Sequence, residues 1–118
     1  GAGRSVAGAR ILLVGLAYKK DVDDCRESPS FKVLKLLRDL GARVDCHDPY
    51  VPEIRGTRQF AGTVRSVGTG VRTLRRYDAA VIVTDHSCVD YAAILENIPV
   101  VVDTRNVYRK TKRRVVKA

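Results

Sequence analysis

The chain has 118 residues, 45% of them apolar and 30% charged, a length and balance that fit one globular domain able to bury a core without metals or disulfides. Its net charge is +9, but seven of those charges (Arg105, Arg109, Lys110, Lys112, Arg113, Arg114 and Lys117) fall in the acid-free stretch 105–118, so the excess is a tail and not the basic, aromatic-bearing face of a nucleic-acid-binding domain. No apolar run approaches the roughly 18 residues of a membrane span, the opening GAGRSVAGAR lacks the apolar stretch of a secretory signal, and the single, widely spaced Cys25, Cys46 and Cys88 point to reduced thiols rather than to zinc or disulfides.

These absences lead us to expect a cytoplasmic protein with no metal site. In chain order, RILLVG (10–15) is a short apolar run stopped by glycine and reads as a buried strand. The polar AYKKDVDDCRE (17–27) is a loop. A helix follows, with Ser28 as N-cap, Pro29 at the first helical position, and Phe31, Leu34, Leu37 and Leu40 at helical spacing. Gly41 is its left-handed stop.

ARVDCHD (42–48) alternates as a second strand and places His47 at the surface, and DPYVP (48–52) is a turn in which Asp48 precedes proline. RQFAGTVRSV (58–67) suggests a short edge strand. VRTLRRY (71–77) reads as a short helix with Val71, Leu74 and the Arg75 stem turned inward. AAVIVTD (79–85) is apolar throughout and reads as a central strand. A helix over about 88–97 and a strand at VVVD (100–103) complete the pattern. Strands alternating with helices predict an α/β fold: a single Rossmann-like domain over 1–118, with a mainly parallel sheet of about five strands, helices on both faces, and a solvated, flexible basic tail at 107–118.

Ligands of open parallel sheets sit outside the carboxyl ends of the strands. Three polar segments should meet there: the loop 16–28, TDHS (84–87) and DTRN (103–106). The first lacks the three glycines of a G-x-G-x-x-G dinucleotide fingerprint and has only Gly15, so no cofactor cradle is expected in this chain. Its cations suit an anionic ligand, lysine as a point charge and arginine as a planar fork.

GLAYKKDVDDCRESPSFKVLKLLRDLGARVDCHDPYVP (15–52) resembles the C-terminal domain of the UDP-glucose/GDP-mannose dehydrogenase family. The likeness rests on Tyr18–Lys19, Asp23–Asp24, Arg26–Glu27–Ser28–Pro29, Gly41–Ala42 and Asp48–Pro49, continues at VIVTDHS (81–87) and VVDTRN (101–106), and covers roughly residues 8–108. TDHS is more like the dehydrogenases of UDP-N-acetylhexosamines than those of UDP-glucose. The resemblance implies the substrate-binding domain of an NAD-dependent UDP-sugar 6-dehydrogenase, which oxidises the sugar C6 alcohol to a carboxylate in two steps. It also implies partner domains outside this chain, a helical one and one that binds most of the NAD, and a homo-oligomeric enzyme. The family's nucleophilic cysteine precedes this domain, so no residue here is expected to be catalytic.

By the same resemblance Tyr18, Lys19, Arg105 and Asn106 contact the UDP-sugar, and Arg26 reaches toward NAD. Plainer roles stand beside these. Lys19 can be a solvated lysine, Arg26 can brace its loop through Asp23 or Asp24, Ser28 and Asp48 can be a cap and a turn former, and His86 can be a hydrogen-bonding residue of its turn or a domain contact. The rival reading is a freestanding nucleotide- or nucleic-acid-binding module that uses the basic tail.

Overall fold

A computed structural model describes residues 7–16, 29–51, 53–55, 63–105, 107–108 and 115–117. The β1 strand (Arg10–Val14) explains why an unbroken apolar run was needed. Its Leu12 and Val14 enter one hydrophobic cluster and its Ile11 and Leu13 the other, because both faces of the sheet are covered. Helix α1 (Pro29–Asp39) covers the face of Ile11 and Leu13. Its Leu34 is buried and its Leu37 partly so. Leu40, expected on that inner stripe, is 52% exposed, since the helix ends at Asp39 and Leu40 belongs to the turn. Gly41, at φ +91°, ends the helix as expected. Its N–H bonds the Arg38 carbonyl and that of Ala42 bonds Leu37, the two closing bonds of a Schellman motif.

Strand β2 (Arg43–His47) pairs with β1 in parallel. Next come β3 (Glu53–Arg55) and β4 (Thr63–Arg65), an antiparallel pair separate from the main sheet. The edge strand expected at 58–67 is thus, where described, part of this hairpin. Its one backbone pairing with β2 among the described residues is the isolated Cys46–Ser66 bridge, so it does not extend the main sheet. Helix α2 (Val71–Leu74) buries Leu74 but leaves Val71 and Arg75 exposed, because one turn of helix presents a single inward position.

Strand β5 (Ala79–Ile82) pairs with β1, and β6 (Val100–Asp103) pairs with β5. Between them lies α3 (Tyr91–Asn97), whose N-cap Asp90 accepts the Ala93 N–H at 3.0 Å. The fifth strand of the main sheet is β7 (Val115–Lys117), parallel to β6. The basic tail is therefore not solvated throughout: Tyr108 and Val115 are buried in the core that α2 and α3 cover, while Val116 is exposed. The count of charges had hidden the β-branched Val115–Val116 pair at the tail's end.

The sheet order is β2-β1-β5-β6-β7, with every pairing parallel. The chain steps from β1 outward to β2, then resumes on the other side of β1 with β5. The order therefore reverses between β1 and β5, and folds of this kind bind ligands at the carboxyl side of such a reversal. This is the expected α/β, Rossmann-like architecture, with α1 on one face and α2 and α3 on the other. No described helix is long and apolar enough to cross a membrane.

Candidate functional site

Gly15 leaves β1 at φ +105°, a conformation that side chains other than glycine rarely adopt. A Cβ on Gly15 would lie 2.6 Å from the Thr84 Cβ and 2.7 Å from the Thr84 N. The loop after β1 and the loop after β5 therefore touch backbone to backbone at the reversal point. The Gly15 N–H donates to the His47 carbonyl at 2.8 Å, and the Ser30 hydroxyl donates to the Gly15 carbonyl. Thr84 takes up the open side of Gly15, so this lone glycine packs two loops together and does not form a pyrophosphate cradle. The described residues do not fit a dinucleotide fingerprint here.

Asp48 and His86 form the centre of the edge. Asp48 follows β2 and is 2% exposed; His86, past β5, is 0% exposed. The His86 Nε2–H donates to Asp48 Oδ2 at 2.8 Å, and the same oxygen accepts the Leu16 N–H at 2.7 Å. Asp48 Oδ1 accepts the Tyr50 N–H at 2.8 Å, closing the Asx-type turn its place before Pro49 predicted. The Asp48 N–H donates to the Ser66 hydroxyl at 2.8 Å. One carboxylate thus ties together the loop after β1, the turn after β2 and the segment after β5, and Ser66 joins it from beyond β4. The Tyr50 ring lies 5.0 Å from the His86 ring, tilted by 57°. His47, expected at the surface, is half-buried, and its Nδ1–H donates to the Val67 carbonyl at 2.6 Å.

A second buried carboxylate, Asp103, shapes the turn after β6. Its Oδ1 accepts the Arg105 and Val107 N–H groups at 3.1 and 3.0 Å, and its Oδ2 accepts the Tyr108 N–H at 3.0 Å. The Thr104 hydroxyl donates to the Ile82 carbonyl. Arg105 is held by this turn. It is exposed, and its Nε–H donates to the Val83 carbonyl at 2.8 Å, which fixes the root of the guanidinium against the segment after β5. Of the residues expected to contact ligand, Arg105 is therefore on the carboxyl edge of the sheet, against the segment that follows β5. Tyr18, Lys19, Arg26 and Asn106 lie outside the described residues, as do Cys25 and the cap Ser28.

The hydrogen-bonding role expected for His86 holds, but its partner lies 38 positions away, which no local pattern could reveal. Asp48 does more than form its turn. The available signal was two polar residues, each at the carboxyl end of a strand, in an edge otherwise rich in cations. Cys46 is buried, and burial pushes its thiol up to about 12, so it is an inert apolar residue. Among the described residues no three His, Cys, Asp or Glu side chains gather to hold a metal.

Comparison with known proteins adds the chemistry. The family described as UDP-glucose/GDP-mannose dehydrogenase, UDP binding domain, matches residues 12–110. A UDP-glucose 6-dehydrogenase of Rhizobium meliloti is 32% identical over 114 residues, covering 92% of this chain and 26% of that protein. A UDP-N-acetyl-D-mannosamine dehydrogenase of Pyrococcus horikoshii is 34% identical over 107 residues, covering 86% of this chain and 23% of that protein. The solved structure of a UDP-D-ManNAc dehydrogenase from Pyrococcus horikoshii superposes with a TM-score of 0.74 at 26% identity, over 98% of this chain and 26% of the other. The chain thus spans about a quarter of the length of these relatives.

Proposed function

Because this chain belongs to the UDP-glucose/GDP-mannose dehydrogenase family as its UDP binding domain, we propose that the crevice at the carboxyl ends of β1 and β5 binds the UDP half of a nucleotide sugar. Arg105 is the observation that carries this reading. It is an exposed guanidinium whose Nε is anchored to Val83, leaving its outer nitrogens to meet a diphosphate in a planar fork. Tyr18, Lys19 and Asn106 belong to the same proposal as substrate contacts, and Arg26 as a contact to NAD. The resemblance of their motifs supports those roles.

The activity proposed for the whole protein is the NAD-dependent oxidation of the sugar C6 alcohol to a carboxylate. Other domains would hold most of the NAD and the nucleophilic cysteine, in a cytoplasmic homo-oligomer. The names of the relatives support the substrate class, since they act on UDP-glucose and on UDP-N-acetylmannosamine. The 118-residue chain is then a binding domain with no turnover of its own. Calorimetric titration with UDP, UDP-glucose and UDP-N-acetylmannosamine tests this, alongside an assay for NADH formation. UDP should bind and carry most of the affinity of either sugar nucleotide, and no NADH should form. Oxidation of either sugar nucleotide by the chain alone would refute the proposal. The nucleic-acid reading of the tail has little support, because Tyr108 and Val115 are in the core and not presented to a partner.

A further inference from the structure

A groove of about 400 Å³ runs along the β2 edge of the sheet on the face that α2 covers, away from the crevice. It is lined by Arg10, Arg43, Asp45, Thr73, Arg76 and Tyr77, and opens at Gly68, where an added Cβ would meet nothing within 4 Å. Arg10 and Arg43 are the first residues of β1 and β2 and are register partners. Paired strands lie about 4.8 Å apart, so two like charges stand side by side, an arrangement that costs stability unless an anion joins them.

The groove contains an acid that could neutralise one of them, yet it does not. Asp45 accepts the Tyr77 hydroxyl at 2.7 Å. Burial and the adjacent Asp45 push the Tyr77 phenol up, so at neutral pH it remains a donor committed to that carboxylate. Asp78 takes the backbone N–H of Arg10, not its guanidinium. Among the described residues, the guanidiniums of Arg10, Arg43 and Arg76 have no acidic partner, and all three residues are exposed.

We propose that this groove is a second anion site, which takes a compact polyanion of the pyrophosphate type at the amino-terminal side of the sheet. Arginine forks suit phosphate oxygens, and the Thr73 hydroxyl adds a donor. The lining offers no exposed ring on which a base could stack, since Tyr77 is buried and its hydroxyl is engaged, so the phosphates are recognised and a base is not. Arg10 and Arg43 open strands whose carboxyl ends lie roughly 13 Å further along, so the site is separate from the crevice proposed for UDP.

The test is a calorimetric titration of the chain with inorganic pyrophosphate, in the presence of saturating UDP to occupy the crevice. Three variants accompany the wild type: the double variant Arg10→Gln/Arg43→Gln, the charge-matched Lys32→Gln/Lys35→Gln on the exposed side of α1, and Arg105→Gln. Pyrophosphate should bind the wild type with a Kd below about 1 mM. The Arg10/Arg43 double variant should lose about tenfold or more of that affinity, since two charge-assisted contacts go. The lysine control and Arg105→Gln should stay within about twofold, which separates this site from the UDP crevice whether or not UDP binds. Without pyrophosphate the Arg10/Arg43 variant should melt at the same or a higher temperature, because like-charge repulsion is relieved. Addition of pyrophosphate should raise the melting temperature of the wild type, the lysine control and Arg105→Gln, and leave that of the Arg10/Arg43 variant nearly unchanged. No binding to the wild type, equal binding by the Arg10/Arg43 variant, or an equal loss in the lysine control would each overturn the proposal.

Discussion

Asp48 and His86 sit 38 residues apart in the chain and 2.8 Å apart in space, and both side chains are fully buried. The pair joins the turn after β2 to the segment after β5, across β1, and Asp48 holds the Leu16 N–H as well. Removing the carboxylate strands the His86 Nε2–H and the Leu16 N–H in the interior and frees the half-buried Tyr50 N–H. Asp48→Ala should therefore destabilise the fold by on the order of 3 kcal/mol, since breaking a buried pair costs more than the pair itself contributes. For a domain of this size, thermal unfolding followed by circular dichroism should show a fall in Tm of about 10 °C. An unchanged Tm would mean that the pair does not hold the edge together.

Gly15 gives a second, steric test of the same edge. Gly15→Ala forces a Cβ into Thr84 and also holds alanine at a left-handed φ. Both effects act in the same direction, so a loss of about 2–4 kcal/mol is expected in a urea titration. Gly68→Ala, whose Cβ meets open space, is the control and should stay within about 0.5 kcal/mol.

The end of the tail should contribute to stability and not only to charge. Val115 is buried and pairs with Val101 across β6 and β7. The Tyr108 ring is buried, lies edge-on to Tyr91 at 6.5 Å, and its hydroxyl donates to the Tyr91 carbonyl. Tyr108→Ala should cost about 3 kcal/mol and Val115→Ala about 1–2 kcal/mol by urea denaturation. A tail that only carried charge would tolerate both substitutions.

Cys46 yields a pH prediction with a definite sign. In the unfolded chain its thiol ionises near 9.0, whereas in the fold burial holds it to about 12. Between those values the unfolded state has released a proton that the folded state keeps. Stability is thus unaffected below pH 9 and falls as pH rises through the window, by about 1.4 kcal/mol per pH unit from this group. Tyr77, Tyr91 and Tyr108 are also pushed up by burial and add to the fall at higher pH. Urea midpoints at about pH 8 and about pH 10.5 check it, and Cys46→Ala should flatten the dependence. At neutral pH, peptide-resolved thiol labelling should modify exposed Cys88 in the folded protein and Cys46 only after unfolding.

Much of the architecture was legible in the sequence because its signals are local. β1 and β5 are apolar runs buried on both faces, Gly41 ends α1 where its left-handed turn is needed, and helices alternate with strands. The errors came where long-range packing decides. Val115 joins the sheet only because β6 is there to pair with it, and Leu40 fits the helical period but lies one residue past the helix. At the edge, the convergence of Arg105 with the segment after β5 follows from parallel strands. The Asp48–His86 contact does not, since it depends on the order in which β2, β1 and β5 lie side by side.

Arg105 is proposed as one wall of a diphosphate site, and a calorimetric titration of UDP into the wild-type chain and into Arg105→Gln tests that role most directly. Arg105 is exposed and gives up one hydrogen bond, to the Val83 carbonyl, so the two melting temperatures should lie within about 5 °C of each other. The wild type should bind UDP and the variant should bind it about tenfold or more weakly, the loss expected for one charge-assisted fork. Equal affinity in the two proteins, or no heat of binding from the wild type, would contradict the assignment.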